Sequence, residues 1–413
     1  MTEWKKIKIS DIAEVIGGGT PSTKQPEYWG NDVPWLTPKD LSGYNKRYIS
    51  NGERNISNEG LKNSSARILP KGSILLTSRA PIGYLAIAGQ DLCTNQGFKS
   101  LVLKPGNDSE FFYYLLKNNI VYIKNMSSGS TFAEISGSQV KNLEFNLPPF
   151  ETQRKIARVL GAIDDKIELN NSINKNLEQQ AQAIFKSWFI DFEPFGGVMP
   201  IDWNIGKLED IVEFSNGYAF KSSELLNSSK GDCFDVFKQG HINRGGGFNP
   251  TGTKSWYPIN ETQGLEKYIL KKGDVLMAMT DMKDNVAILG NTALMEVDNK
   301  YIVNQRVGLL RCKNDYGIYY PYIYLLTNSI DFLTDLRKRA NSGVQVNLSS
   351  TEIKNSEVII ATKDINIKFN NIVEPFFEQI FANDIENERL TQFRDTLLPK
   401  LMNGEIDVDK VEV

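Results

Sequence analysis

The stretch Trp4-Lys5-Lys6-Ile7-Lys8-Ile9-Ser10-Asp11-Ile12 returns in the second half of the chain as Trp203-Asn204-Ile205-Gly206-Lys207-Leu208-Glu209-Asp210-Ile211. Three further matches follow in the same order. Leu69-Pro70-Lys71-Gly72-Ser73-Ile74-Leu75-Leu76 answers to Leu270-Lys271-Lys272-Gly273-Asp274-Val275-Leu276-Met277, and Thr94-Asn95-Gln96-Gly97 to Val303-Asn304-Gln305-Arg306. Gly129-Ser130-Thr131-Phe132 stands before Ile135-Ser136 as Gly343-Val344-Gln345-Val346 stands before Leu348-Ser349. The offset drifts from 199 to 214, too long a period for a stacked-repeat protein, and it points to two homologous domains with small loop changes.

Each half begins with short apolar runs, such as residues 72–77 and 286–289, bounded by Gly, Asn, Pro and Lys; these predict strands. A helical stretch follows, residues 110–124 in one half and 319–339 in the other. Each half therefore reads as a mixed α/β globule.

Each half then ends in a long helix. After Pro148-Pro149, the residues Ile156, Leu160, Ile163, Ile167, Leu177, Ala181, Ile184 and Trp188 recur at alternating steps of three and four, the spacing of a coiled-coil seam. The second half repeats the pattern from about Phe369, through Val373, Phe376, Ile380, Leu390 and Leu397, to Leu401, with Pro375 expected to kink its start or mark its first turn. Both seams put asparagine at two consecutive core positions, Asn170 and Asn174, then Asn383 and Asn387. If the helices pair antiparallel so that residue numbers sum to 557, Asn170 faces Asn387 and Asn174 faces Asn383. The same register sets Ile156 on Leu401 and Trp188 on Phe369, with one mismatch, Ile163 on Arg394. Buried amides that must meet each other fix register. The expectation is an antiparallel coiled coil of roughly 30–35 residues per helix, about 50 Å at 1.5 Å per residue.

Composition bounds the function more loosely. The chain has 413 residues and an ordinary globular balance, 40% hydrophobic and 23% charged. No apolar run approaches a membrane span, and the N-terminus has no signal-like stretch, which favours the cytoplasm. Cys93, Cys233 and Cys312 are scattered and form neither a metal-ligand spacing nor a disulfide framework. Net charge is −3, but residues 1–150 hold 17 Lys/Arg against 13 Asp/Glu, a local +4, and residues 361–413 hold 6 against 11, a local −5. Any grip on nucleic acid must therefore come from local patches or a basic partner.

Catalytic machinery is hard to find. His241 is the sole histidine and has no nucleophilic serine near it, so a structural or DNA-contacting role is expected. Gly17-Gly18-Gly19-Thr20 and Gly245-Gly246-Gly247 lack the Gly-Lys-Ser/Thr ending of a phosphate loop and read as turns. Asp164-Asp165 and Asp281/Asp284 lack companion ligands and read as solvated charges. Asn146-Leu147-Pro148-Pro149-Phe150 resembles the loop with which adenine methyltransferases hold a flipped base. Leu147, however, stands where an acceptor is required, and leucine cannot accept a hydrogen bond. A stand-alone adenine methyltransferase and a non-DNA coiled-coil scaffold are the competing readings.

The chain resembles the specificity subunits of type I restriction–modification enzymes along essentially its whole length. The resemblance rests on Gly18-Gly19-Thr20-Pro21-Ser22, Thr37-Pro38-Lys39-Asp40-Leu41, and Thr77-Ser78-Arg79-Ala80-Pro81-Ile82-Gly83. It continues in Asp164-Asp165-Lys166-Ile167-Glu168-Leu169-Asn170 and Leu397-Leu398-Pro399-Lys400-Leu401-Met402-Asn403-Gly404. The second half departs from the first, with Met279-Thr280-Asp281-Met282 where the first has Ser78-Arg79-Ala80-Pro81.

The resemblance implies an α+β chain of two target-recognition domains, residues 1–150 and 196–360. A central conserved helix, residues 151–195, and a C-terminal one, residues 361–413, would pair and set an unread spacer. It implies a non-catalytic reader of bipartite double-stranded DNA. The partners would be two methyltransferase subunits, which bind S-adenosylmethionine and methylate adenine, and restriction/translocase subunits. This chain itself would hold no cofactor or metal. Because arginine bridges guanine O6/N7 and Asn or Gln bridges adenine N6/N7, the candidate DNA contacts are Lys39, Arg79, Asn95, Gln96 and Lys99 in the first half. In the second half they are Gln239, Asn243, Arg244, Asn304, Gln305 and Arg306. An Asn-Gln pair after a strand equally well caps a turn.

Overall fold

The computed structural model describes residues 4–127, 133–229, 231–282, 287–313, 315–342 and 345–410. The repeat match at residues 129–132 and 343–344, together with Asp284 and Val286, lies outside them. The chain divides into two compact units, Met1–Ser172 with Asp384–Val413, and Ile173–Asn383.

Both units are built on the same sheet. In the first unit the order is Ala13–Gly17, Lys99–Leu103, Ile74–Leu76, Leu85–Ala88, with the short Tyr48–Ile49 added at the edge. In the second it is Val212–Asn216, Val307–Cys312, Val275–Ala278, Thr292–Leu294. An antiparallel pair flanks each sheet: Lys5 to Lys8 against Leu147 to Glu144, and Asn204 to Lys207 against Ile360 to Glu357.

Strand alternation divides the core of each unit in two, because successive side chains leave a strand on opposite faces. Ile74, Leu76 and Ile87 point into a core with Phe111, Phe112 and Tyr114, whereas Leu75, Ala86 and Ala88 point into another with Leu36 and Phe98. In the second unit Val275 and Met277 join Tyr322 and Ile323 on one face, and Leu276 and Ala278 join Phe237 and Val303 on the other. The face away from the helices thus carries the loops described in the next section.

Several local expectations are corrected. The single helices expected at 110–124 and 319–339 are each two. Ser109–Asn118 and Ile120–Asn125 are broken at Asn119 (φ −106°, ψ 19°), and Tyr320–Thr327 and Ile330–Lys338 are separated by Ser329, whose hydroxyl caps the second. The strand expected at 286–289 is a turn over its described residues. The N–H groups of Ala287, Ile288 and Leu289 donate to Asp281 Oδ2 at 2.8, 2.7 and 3.2 Å, so Asp281 is a backbone anchor and not a solvated charge.

The third correction concerns the long helices, which span Phe150–Phe189 and Lys363–Met402. The second begins before Phe369, because buried Asn366 holds its first turn by donating to the carbonyls of Tyr316 and Ala361 at 3.0 and 3.1 Å. Pro375 consequently lies in the helix interior, where it withholds an N–H from the Asn371 carbonyl.

The two helices follow the antiparallel register within each unit. In the first, Asn170 Nδ2 donates to Asn387 Oδ1 at 3.0 Å and to Glu386 Oε2 at 2.7 Å, and Asn387 Nδ2 donates to Asn171 Oδ1 at 3.1 Å. In the second, Asn383 Nδ2 donates to Asn174 Oδ1 at 2.7 Å, and Trp188 packs on Phe369 with ring centroids 5.9 Å apart. The mismatch at Arg394 is resolved by a neighbour. Its guanidinium donates to Asp164 Oδ1 at 2.6 Å, and Tyr114 donates its hydroxyl to Asp164 Oδ2 at 2.6 Å. Asp164 is buried, contrary to the expectation of a solvated charge. The helices also carry a second apolar stripe. Phe185, Phe189, Phe377 and Phe381 are more deeply buried than the seam residues Ile184, Trp188, Phe376 and Ile380, because they fill the core of their own unit.

Candidate nucleic-acid interface

In each unit two strands run parallel and release their chains side by side into loops. Trp35–Leu36 pairs with Cys93–Thr94, and Cys233–Phe237 pairs with Tyr301–Val303. Four of the hydrogen bonds beyond them recur in both units. Asn95 N–H donates to Leu36 O at 2.8 Å, as Asn304 N–H donates to Phe237 O at 3.0 Å. Gly19 N–H reaches Thr94 O as Tyr218 N–H reaches Val303 O, both at 2.9 Å. Ser78 N–H meets Gly97 O at 2.7 Å, as Met279 N–H meets Arg306 O at 3.3 Å. Finally Ile135 N–H bonds Ser78 O at 3.0 Å, as Leu348 N–H bonds Met279 O at 2.9 Å.

The glycines at the start of this cluster are there for close approach. A Cβ on Gly18 would lie 2.0 Å from the Asn95 carbonyl oxygen, and one on Gly217 would lie 2.3 Å from that of Asn304. Neither needs a phosphate to explain it.

The loop after the first strand of each pair is a short 3-10 turn whose leading N–H needs an acceptor. Thr37 N–H donates to Asp40 Oδ2 at 2.6 Å. In the second unit Lys238 N–H donates to His241 Nδ1 at 3.0 Å. His241 is thus the structural counterpart of Asp40, buried against Phe237 and Phe248, and burial holds its pKa below the ordinary 6.5. The Cys93 and Cys312 thiols are no better disposed for chemistry, since burial pushes the first up to about 11 and the second up to about 12.

The candidate side chains distribute themselves over this frame as follows. Asn95 folds its own turn, accepting the Gly97 N–H at 2.8 Å, and Asn304 accepts the Arg306 N–H at 3.4 Å. Gln96 is exposed and accepts from the Thr20 hydroxyl. Arg79 and Lys99 converge on one carboxylate, with Arg79 Nη1 and Lys99 Nζ each 3.7 Å from an oxygen of Glu134. Lys39, exposed, pairs with Glu53 at 2.7 Å. In the second unit Gln239 and Thr280 bond each other twice, the Thr280 hydroxyl donating to Gln239 Oε1 at 2.6 Å and Gln239 Nε2 donating to the Thr280 carbonyl. Gln305 and Arg306 are exposed on the loop beside them. Asn243 and Arg244 sit apart, on a turn closed by the Asn243–Gly247 bond. This turn rests on Thr292, whose carbonyl accepts the Gly247 N–H at 2.9 Å. Among the described residues Arg244 and Arg306 make no ion pair, whereas Lys39, Arg79 and Lys99 all do.

Sequence reasoning did not single out Glu134, Glu53 or Thr280. Glu134 and Thr280 reach their partners across long stretches of chain, so no local spacing announces them. Among the described residues no group of three or more His, Cys, Asp or Glu side chains could hold a metal. No helix among them is long and apolar enough to cross a membrane.

The family model described as "Type I restriction modification DNA specificity domain" matches residues 1–179 and again 200–392. The type I restriction enzyme MjaIX specificity subunit of Methanocaldococcus jannaschii is 37% identical over 99% of this chain and 95% of its own length. The type I restriction enzyme HindI specificity subunit of Haemophilus influenzae is 27% identical over 98% of this chain and all of its own. In fold, the chain is similar to the crystal structure of a type I restriction–modification system S subunit from M. genitalium, with a TM-score of 0.59, 19% identity, and 97% and 96% of the two chains covered. With the family model matched twice and the repeated frame running through both units, the chain belongs to the specificity subunits of type I restriction–modification systems.

Proposed function

We propose that the two units read two different short stretches of one duplex, so that the chain directs adenine methylation and restriction by partner subunits without performing either. The observation that carries this reading is the pair of loop clusters, which share four matched backbone bonds and differ in side chains. One presents Arg79, Gln96 and Lys99; the other presents Gln239, Gln305 and Arg306. A shared frame with changed polar side chains is what reading two base sequences with one fold requires, since discrimination lies in donors and acceptors aimed at base edges.

In this reading the partners are two methyltransferase subunits, which carry S-adenosylmethionine, and restriction/translocase subunits. This chain holds no cofactor of its own. Methylome sequencing of a host given the gene with its methyltransferase partner tests it. A bipartite methyladenine motif is expected, and a continuous motif or none overturns the reading. Arg79→Ala should relax the motif within one half only and make the salt dependence of binding shallower.

A further inference from the structure

We propose that Glu134 is a specificity-determining residue of the first unit, its carboxylate occupying the cationic site formed by Arg79 and Lys99 and competing there with DNA phosphate. The proposal rests on the reading of the loop cluster as a DNA interface. Three observations support it. The carboxylate bridges, with one oxygen 3.7 Å from Arg79 Nη1 and the other 3.7 Å from Lys99 Nζ. Its place is set by the backbone, because the next residue, Ile135, donates to the carbonyl of Ser78, the residue before Arg79. All three side chains retain some exposure, 42% for Arg79, 41% for Glu134 and 18% for Lys99, so the triple is open to a ligand and the carboxylate can be displaced.

The second unit supplies the contrast. By the matching bonds from Ile135 to Ser78 and from Leu348 to Met279, Glu134 corresponds to Asn347 and Arg79 to Thr280. Thr280 and Asn347 are also direct partners across two strands. That position is neutral, and among the described residues the arginine of the loop, Arg306, makes no ion pair. The first unit therefore carries its cations pre-neutralised.

The consequence is selective. Phosphate is present on every duplex, and its contacts with Lys and Arg are the sequence-independent part of binding. On a mismatched duplex Arg79 and Lys99 can meet only phosphate, and the carboxylate opposes that contact in full. On a matching duplex base edges engage Arg79 in place of phosphate, so the carboxylate opposes less of the binding there and the ratio between the two widens.

The test uses the full-length chain, a scrambled short duplex, and a duplex enriched by the wild-type chain from a randomised pool. Glu134→Gln keeps the shape of the side chain and removes its charge. It should tighten binding to the scrambled duplex about three- to fivefold and steepen the log–log salt slope by about one unit. Binding to the enriched duplex should change less, so that the specificity ratio falls. In an Arg79→Ala background the same substitution should give a smaller gain. An unchanged salt slope and unchanged scrambled-duplex affinity overturn the proposal. So does loss of enriched-duplex binding with scrambled binding unaltered, which would make Glu134 a base acceptor instead. A wild-type chain that enriches no sequence overturns the DNA reading itself, and that outcome is recognised without any variant.

Discussion

Thr37 and Lys238 open the same turn in the two units, and each has an N–H that needs an acceptor three residues on. Asp40 supplies a carboxylate and His241 an imidazole. To accept the Lys238 N–H at Nδ1, His241 must be neutral with its proton on Nε2. Burial depresses its pKa below 6.5, so the unfolded chain binds a proton that the folded chain refuses. Stability of the second unit should therefore hold above about pH 6.5, decline as pH falls through the window below it, and level off beneath the folded-state pKa. His241→Phe should remove that decline and cost about 1 kcal/mol at neutral pH for the lost bond. Urea unfolding between pH 5 and 7.5, followed by tryptophan fluorescence, to which Trp188, Trp203 and Trp256 of the second unit contribute, checks both. An identical pH slope in variant and wild type would overturn the assignment. The sequence predicts a structural or DNA-contacting role for this residue, and the repeat supplies the structural one, since His241 stands where Asp40 stands in the first unit.

At the scale of elements, the helix seam is legible in sequence because amides and apolar residues recur at fixed spacing on one face. The second stripe, Phe185, Phe189, Phe377 and Phe381, escapes because it packs on a sheet and short helices whose contacts no local period encodes. The helix breaks at Asn119 and Ser329 escape for a related reason: asparagine and serine are tolerated inside helices, and only the surrounding packing decides that they end one. The amide pairs give a direct prediction. Asn170→Ile strands the Asn387 side-chain carbonyl, at a cost of about 1–3 kcal/mol, while Glu386 keeps its ion pair with Lys166. Adding Asn387→Ile should restore much of that stability, because two apolar residues then face each other, while register is left less well fixed. A double-mutant cycle in urea measures the coupling, and additive costs would show that the pair does not interact. Asp164→Ala tests the buried triad more severely, since it leaves the Arg394 guanidinium and the Tyr114 hydroxyl without their shared acceptor. The expected loss is about 2–4 kcal/mol, with Asp164→Asn recovering part of it.

For the whole molecule, the duplication was readable from short matched runs alone, and the loop cluster could be located because Asn95-Gln96 and Asn304-Gln305 lie within one of them. Which of its side chains stand exposed was not, because asparagine at those positions serves the backbone: Asn95 and Asn304 close their own turns, leaving Gln96, Gln305 and Arg306 as the exposed members. The two units have separate cores, so changing the loops of one should leave the other's base preference intact. Gln305→Ala combined with Arg306→Ala is expected to degrade one half of the methylated motif and preserve the other, since a lost bidentate contact costs about 1–3 kcal/mol at its own base pair. Asn304→Ala should instead loosen the turn that both residues ride on, lowering overall methylation more than it shifts the motif. Methylome sequencing of the two variants separates these outcomes. If the double substitution altered both halves of the motif equally, the units would not be reading independently, and the duplication would have to be explained by something other than two readers on one frame.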